Sequence, residues 1–552
     1  MRDFDYRLAF LDSEGLAGIL ETVAMWRRQI IAICFWCAMV GASAFGAGRL
    51  YDVRDYGAKP DGKTLCTQAI QKAIDECAKD GGGTALLSGG VYLTGTIYLK
   101  SGVTLRIDDG CVLLGSGDLK RYPPTVPAFR SYADNYTDKS LIYGENLQRI
   151  AITGGGIIDG QGGSFKGPYK QRPYIIRFVQ CKDVTVRDVN ITNSPMWVQQ
   201  YLACDDVRID GITVRSHVNA NNDGIDIDSC HRVIVSSCNV DSGDDAIVLK
   251  STSARSCRDV VVTGCILRSN CNALKLGTES NGGFENIVLT GCTIYDTQLA
   301  GVALEIVDGG TLDRVVVSNM TMSKVGAPIF LRLGNRARPF KEGMDKPAVG
   351  KFRNVTISNI EADGADATGC AISGIPGAMI ENVTVSNVRF SFAGGGTAEQ
   401  AHRTIAEEPE KYPEYSMFGR LAAYGLYCRH IKGLKLLDVQ VQLAADDLRH
   451  GVVFEDVQDA VIDTLDAPNS AGAAAQIRLT DAGGVFIRGC RPKPGTEVFL
   501  ELQGKNSGNI VLAGNDLSAA ARPVEFGPDV PKTAIVQEGN CSKQQVRGKM
   551  EL

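Results

Sequence analysis

The sequence predicts an all-β protein, a right-handed parallel β-helix whose N-terminal end is closed by a short capping helix. Three observations lead there. A short pattern of alternating β-branched residues, two small or polar residues and one apolar or Cys residue recurs along the chain. It reads VTVRDVNIT, VRIDGITVR, VIVSSCNVD, VVVTGCILR, IVLTGCTIY, VVVSNMTMS, VTISNIEAD and VTVSNVRFS, with a late echo in VFIRGCRPK. Its core position falls on Val189, Ile212, Cys238, Cys265, Cys292, Met320, Ile360 and Val388, at intervals of 23, 26, 27, 27, 28, 40 and 28 residues. Periods of this length mark stacked repeats. The second observation is that the strands are short and alternate with period 2, which excludes helical repeats. The third is the 62 Gly in 552 residues, well above the roughly 7% usual in proteins, which implies many tight turns.

Short strands joined by two- or three-residue turns cannot bury their inward side chains alone. Stacking coil on coil buries them and gives each strand parallel neighbours above and below. The recurring core position then forms an internal ladder. Cys238, Cys265 and Cys292 are small hydrophobes in it, and packed free thiols are expected rather than a disulfide framework. Residues 66–78 place Ala69, Ile70, Ala73, Ile74 and Cys77 at helical spacing, an amphipathic cap for the open first coil. Two excursions interrupt the repeat, near 331–349 and 393–424, and long excursions on a rigid scaffold tend to carry function.

The ends read differently. Residues 1–24 carry Asp3, Asp5, Asp12, Glu14 and Glu21 and look like translated sequence upstream of the true start. Residues 25–47 have the three parts of a secretory signal: Met25 with Arg27-Arg28, an apolar run over 30–40, and small residues at Ala42-Ser43-Ala44 and Ala47. That run is too short to span a membrane, which takes about 20 apolar residues. The expectation is an exported protein, periplasmic or secreted, with a single β-helix catalytic domain over 48–535 and a tail over 536–552. A formal net charge of −5 argues against a nucleic-acid binder but leaves an acidic substrate open.

Counting back 20 residues from Cys265, Cys292 and Met320 lands on Asp245, Asn272 and Ala300. Matching NDGIDIDS to DDAIVLKS puts Asp223 in the same column, with Asp244 beside Asp245. Asp223, Asp245 and Asn272 should stack at about 4.8 Å per coil. Carboxylates this close raise one another's pKa. A structural solenoid has no use for that repulsion, whereas an inverting glycosidase pairs a carboxylic acid with a carboxylate that activates water. Calcium binding is the main competing use of such a cluster. Asp226 and Asp228 read as local turn hydrogen-bonders.

The chain resembles glycoside hydrolase family 28, the polygalacturonase and rhamnogalacturonase group. The resemblance starts at LYDVRDYGAKPDG and GGGTALLSGGVYLTGTIYLKSGVTLRIDDGCVLLGS and continues through GGGIIDGQG and NSPMW to Asn221-Asn222-Asp223 and Gly243-Asp244-Asp245. It implies that Asp244 is the general acid and that Asp223 and Asp245 hold and activate the water. Asn222 stands where the family usually has Thr. The family's Gly-His-Gly is Cys271-Asn272-Ala273 here, and its Arg-Ile-Lys is Ala303-Leu304-Glu305. These departures point away from an ordinary endo-polygalacturonase.

Lys275 and Arg332 are the candidate replacements for the missing cations, with Arg336 and Arg338 read as solvated charge. Asn221, Asn272 and Glu279 complete the candidate substrate contacts. The second excursion, with His402, Glu407, Glu408, Glu410, Tyr412, Tyr415, Phe418 and Arg420, could wall off one end of a cleft and favour exo action. The reading is therefore an inverting glycosidase on pectic polysaccharide or oligosaccharide, monomeric, without cofactor or metal, binding neither nucleic acid nor, after signal removal, membrane. A β-helix polysaccharide lyase and a non-catalytic glycan-binding solenoid are the alternatives.

Overall fold

The computed structural model describes residues 49–542, so the expected upstream start, the signal and the end of the tail lie outside the described residues. From Leu50 onward the chain is a right-handed parallel β-helix in which every named strand pairing is parallel. Inward positions form ladders as the repeat predicts. Ile209, Val235, Val262, Leu289, Val317, Ile357, Val385, Leu436 and Ile462 stack in one column and are all buried. The column read from the sequence, Ile212 to Val388, is buried throughout and continues through Val439 to Leu465.

The turns between strands explain the small or polar residue before each core position. Asn319, Asn359 and Asn387 adopt left-handed backbone at φ 55°, 55° and 49°. Asn tolerates that region because its short amide bonds locally. Here the amides also bond one another, Asn359 Nδ2 to Asn319 Oδ1 at 3.0 Å and Asn387 Nδ2 to Asn359 Oδ1 at 2.7 Å, stapling coil to coil. Helix α1 (Thr67–Lys79) buries Ile70, Ala73, Ile74 and Cys77 against the first coils, as the spacing predicts. Among the described residues no helix is long and apolar enough to cross a membrane.

One face of the β-helix carries the strands that matter below: β1 (Gln199–Leu202), β2 (Ile225–Asp228), β3 (Ile247–Ser251), β4 (Leu274–Ser280), β5 (Thr293–Ile306), β6 (Thr311–Leu333), β7 (Cys370–Ser373), β8 (Ala423–Leu443), β9 (His450–Asp466) and β10 (Ile477–Thr480). Two boundaries differ from expectation. Strand β6 runs through Leu333, so Leu331 and Arg332 belong to the sheet and the first excursion begins at Gly334. The coils also pass the expected end at 535, because Ile535–Glu538 pairs with Ile510–Ala513 and adds a further rung.

All fifteen cysteines among the described residues are free, and most are buried. The ladder thiols donate to carbonyls of their own turns, Cys238 to Ser236 O at 3.2 Å and Cys265 to Thr263 O at 3.4 Å. Melting with and without a thiol reductant should therefore give the same Tm. A fall of several degrees on reduction, as expected for losing a bridge worth about 2–4 kcal/mol, would contradict this packing.

Candidate active site

The stacked column exists. Asp223, Asp245, Asn272 and Ala300 follow one another on successive coils, tied by Gly224 N–H to Asp245 O, Ala246 N–H to Asn272 O and Ala273 N–H to Ala300 O. Asn222 fixes the turn that presents Asp223. Its Nδ2 donates to Ser194 O at 2.9 Å and Met196 O at 3.0 Å, and its Oδ1 accepts from Ser216 Oγ at 3.0 Å. The NSPMW segment is thus the floor under Asp223. Asn221 is left-handed at φ 56°, and its Oδ1 accepts from Arg172 at 3.0 Å.

The next coil presents the acid pair. Asp244 O accepts from Ser242 Oγ and Ser269 Oγ, each at 2.6 Å, which anchors the turn on both sides. Asp244 is the most exposed of the three carboxylates, while Asp223 and Asp245 are 2% and 4% exposed. Asp245 Oδ1 accepts from the backbone and side-chain amides of Asn272 at 3.1 and 2.8 Å, and Asn272 Oδ1 accepts from Ala300 N–H at 3.1 Å. Asn272 therefore orients Asp245 through its own amide.

Two buried lysines hold the carboxylates together. Lys275 Nζ lies 3.3 Å from Asp245 Oδ2, 3.8 Å from Glu305 and 4.0 Å from Glu414. Lys250 Nζ lies 3.4 Å from Asp223, 3.7 Å from Asp226 and 3.8 Å from Glu279, and sits 4.7 Å from the centre of the Trp197 ring. Burial opposes the charge of both lysines, yet the surrounding carboxylates hold them well above the ordinary lysine range. Burial, and then the charge of Asp244, pushes Asp223 well above the carboxylate range. Asp244 is raised by burial and by Asp245, with Lys275 pulling the other way. Burial also opposes the charge of Glu279, but Lys250, Arg338 and Arg336 outweigh it and hold the carboxyl down at about 2.

Asp228 departs from the turn role expected. Fully buried at the end of β2, it accepts from Thr252 N–H and Thr252 Oγ1 of the next coil and so ties coil to coil. Asp226 departs from that role too. It lies mid-strand in β2, fully buried, and neither carboxylate oxygen has a hydrogen-bond partner.

Arg332 corrects another expectation. Its guanidinium donates to Ser373 Oγ, Gly374 O, Glu407 O and Glu408 O at 2.7–3.0 Å, and burial draws its pKa down to about 10. Those bonds fasten the second excursion, so Arg332 is not an open cation for substrate. Arg336 and Arg338 are also not solvated charge. Arg336 Nε donates to Asp308 at 2.9 Å, and Arg338 pairs with Glu279 and stacks 3.7 Å from the Tyr132 ring centre.

Sequence reasoning missed Lys250, although strand alternation in AIVLKS places it outward beside Val248. It also missed Glu414, which lies in an excursion with no period to read. One ligand atom each from Asp244, Asp245 and Cys271 lies within 4.8 Å of the others. A thiol in that set and an ammonium 3.3 Å from Asp245 fit a hard, oxygen-seeking cation poorly, which weakens the calcium reading. The arrangement suits proton transfer instead, with one partly exposed carboxyl, Asp244, biased toward its acid form beside carboxylates fixed by amides and lysines.

A family model described as "Glycosyl hydrolases family 28" matches residues 95–407, a stretch that contains all three carboxylates. The chain belongs to that family. A "Probable polygalacturonase" of Vitis vinifera is 37% identical over 215 residues, covering 36% of this chain and 43% of that protein. An "Exo-poly-alpha-D-galacturonosidase" of Dickeya chrysanthemi is 28% identical over 253 residues, covering 36% of this chain and 41% of that protein. The chain thus spans less than half the length of these curated relatives. The fold of this family 28 member is shared with a solved exopolygalacturonase from Thermotoga maritima (TM-score 0.58, 22% identity, 71% of this chain and 92% of that one). It is shared also with the family 28 exopolygalacturonase of Yersinia enterocolitica (TM-score 0.62, 20% identity, 76% and 79%).

Replacing Lys250 with Met leaves Asp223, Asp226 and Glu279 around a missing cation. Breaking a buried ion cluster in this way should lower the unfolding free energy by about 3–5 kcal/mol in urea titration. A loss under about 1 kcal/mol, the value of an exposed pair, would show that the lysine does not hold these carboxylates.

Proposed function

We propose that this family 28 protein is an inverting glycoside hydrolase that removes units from the end of galacturonate-containing pectic chains, rhamnogalacturonan among them. Asp244 protonates the leaving oxygen, and Asp223 and Asp245 hold and activate the attacking water. Asn272 and Lys275 act by positioning Asp245. Residues 48–541 work as one catalytic domain of an exported, monomeric protein whose partner is the acidic glycan.

The observation that supports exo action is the seat of the second excursion. Arginines two coils apart each bind its backbone: Arg478 donates to Ala401 O at 2.8 Å, Arg429 to Ile405 O at 2.7 Å and Arg332 to Glu407 O at 2.7 Å. Asn335 N–H donates to Pro409 O at 2.6 Å. The segment therefore runs back along the sheet against the order of the coils and ends with Tyr412 and Glu414 at Lys275. Excursion backbone thus lies along the sheet on that side of the carboxylates, which supports a groove closed at that end.

Three outcomes test the reading. On a panel of defined pectic oligosaccharides, mass spectrometry should find products that have gained water and carry no ultraviolet-absorbing double bond; unsaturated products would mean a lyase. Asp244→Asn should lower kcat by about 10²–10⁴-fold while leaving the circular dichroism unchanged, the range for losing a general acid. Exchanging residues 403–416 for a short Gly-Ser linker should convert release of terminal units into internal cuts of mixed length.

The pH profile follows from the charge environment. Asp244 must be protonated to act, and its pKa is raised, so kcat/KM should persist above the usual carboxylate range and fall as pH rises through the raised value. Lys275 lowers that pKa. Lys275→Met should accordingly move the alkaline limb to higher pH, and a limb that stays in place or moves down would remove Asp244 from the acid role.

A further inference from the structure

The closed end of the groove has an unusual charge balance. Lys275 brings one positive charge, and three carboxylates lie within 4.0 Å of it: Asp245, Glu305 and Glu414. Glu305 is fully buried on β5, and its Oε1 has no hydrogen-bond partner. Its other oxygen accepts from Thr278 Oγ1 at 3.1 Å. Glu414 is brought in by the excursion, and its Oε2 is likewise buried and unpartnered. Burial, with Lys275 opposing, pushes the Glu305 carboxyl up to about 8 and that of Glu414 up to about 7. The lysine is thus too little charge even for the carboxylates already present.

A group entering this end meets the partly exposed Glu414 carboxyl, with Glu305 buried behind it and one unpartnered oxygen on each. A sugar hydroxyl, able both to donate and to accept, can satisfy such a site. A uronate carboxylate supplies a like charge instead, and there is no surplus cation to balance it. Cations do lie on the Lys250 side of the groove, where Arg338 remains 28% exposed over the Tyr132 ring. Resting on the exo-hydrolase reading above, we infer that the closed end takes a neutral sugar as the terminal unit. Glu414 is its specificity-determining residue, reading hydroxyl groups and rejecting a terminal uronate, and the buried Glu305 behind it adds to the negative balance that Lys275 does not offset. The enzyme would then act on chains in which a neutral sugar caps or alternates with galacturonate, and not on the ends of pure galacturonan.

Two oligosaccharide series with the same galacturonate core test this, one ending in rhamnose and the other in galacturonate, with the variable unit placed at either end. Calorimetry on Asp244→Asn should give a Kd at least about tenfold lower for a rhamnose-ended member than for its uronate-ended counterpart. Combining Glu305→Gln and Glu414→Gln in that background should narrow the ratio severalfold, with circular dichroism confirming the fold. Equal or tighter binding of the uronate-ended series overturns the inference, as does a ratio that the two Gln substitutions leave unchanged. If those variants do not fold, the ratio measured on Asp244→Asn alone decides. Turnover by the unmodified enzyme is read separately. No product from either series removes the hydrolase reading, while the binding ratio still reports on the terminal sugar.

Discussion

The register between coils is the constraint on which everything else depends. Parallel strands lie about 4.8 Å apart, and the backbone hydrogen bonds that set that spacing also set which side chains stand above one another. A slip of one residue would turn every inward Val and Ile outward. The apolar ladder therefore enforces the polar one: with Ile225, Ile247 and Leu274 held inward in register, Asp223, Asp245 and Asn272 must stack. The Asn ladder at the turns adds a second, independent pin on the same register.

That rigidity is what lets like charges remain together. Asp223, Asp244 and Asp245 would separate if the backbone could yield. The fold instead sets two buried lysines between them and the flanking carboxylates, and each lysine serves three acids. The lysines divide the site into halves with different partners. Lys250 works beside Trp197 and the arginine-flanked Glu279, whereas Lys275 faces only acids and a tyrosine. A bulge completes the first half. Gly277, at φ 117°, shifts the register between β3 and β4 and brings Glu279 toward Lys250. A Cβ at that position would lie 3.0 Å from Glu305 Cβ, so the residue needs both the backbone freedom and the room that glycine gives.

How much was legible in the sequence follows from this division. Whatever repeats could be read, because a ladder position in one coil predicts the next; the Cys238–Cys265–Cys292 column and the Asp223–Asp245–Asn272 stack were found that way, and the capping helix by its own 3.6-residue period. Lys250 was readable by the same alternation but was passed over. The roles of Arg332, Arg336 and Arg338 were not readable. Arg332 depends on what the second excursion places against it, Arg336 and Arg338 lie in the first excursion themselves, and excursions have no period. For the same reason Glu414 left no trace in the pattern, although its carboxylate lies 4.0 Å from Lys275 Nζ, only slightly farther than that of Glu305 at 3.8 Å. Asp226 was misread because its sequence neighbours resemble a turn, while the register puts it in mid-strand.

The replacement of the family's Arg-Ile-Lys by Ala303-Leu304-Glu305 connects these parts. Ala303 is one of several small outward residues, with Ala300, Ala327 and Ala371, that form an apolar seat with Phe330 and Tyr427. Ile405, Tyr415, Met417, Phe418 and Leu421 of the excursion cover that seat, and Phe418 lies between the guanidinium groups of Arg332 and Arg429. A long cationic side chain at position 303 would occupy the space the excursion needs. The small side chain at 303 and the seating of the excursion therefore go together. On the proposed reading, the wall that would end the groove also brings Glu414 beside Glu305 and Lys275, so the end of the groove and its choice of terminal sugar would be set together.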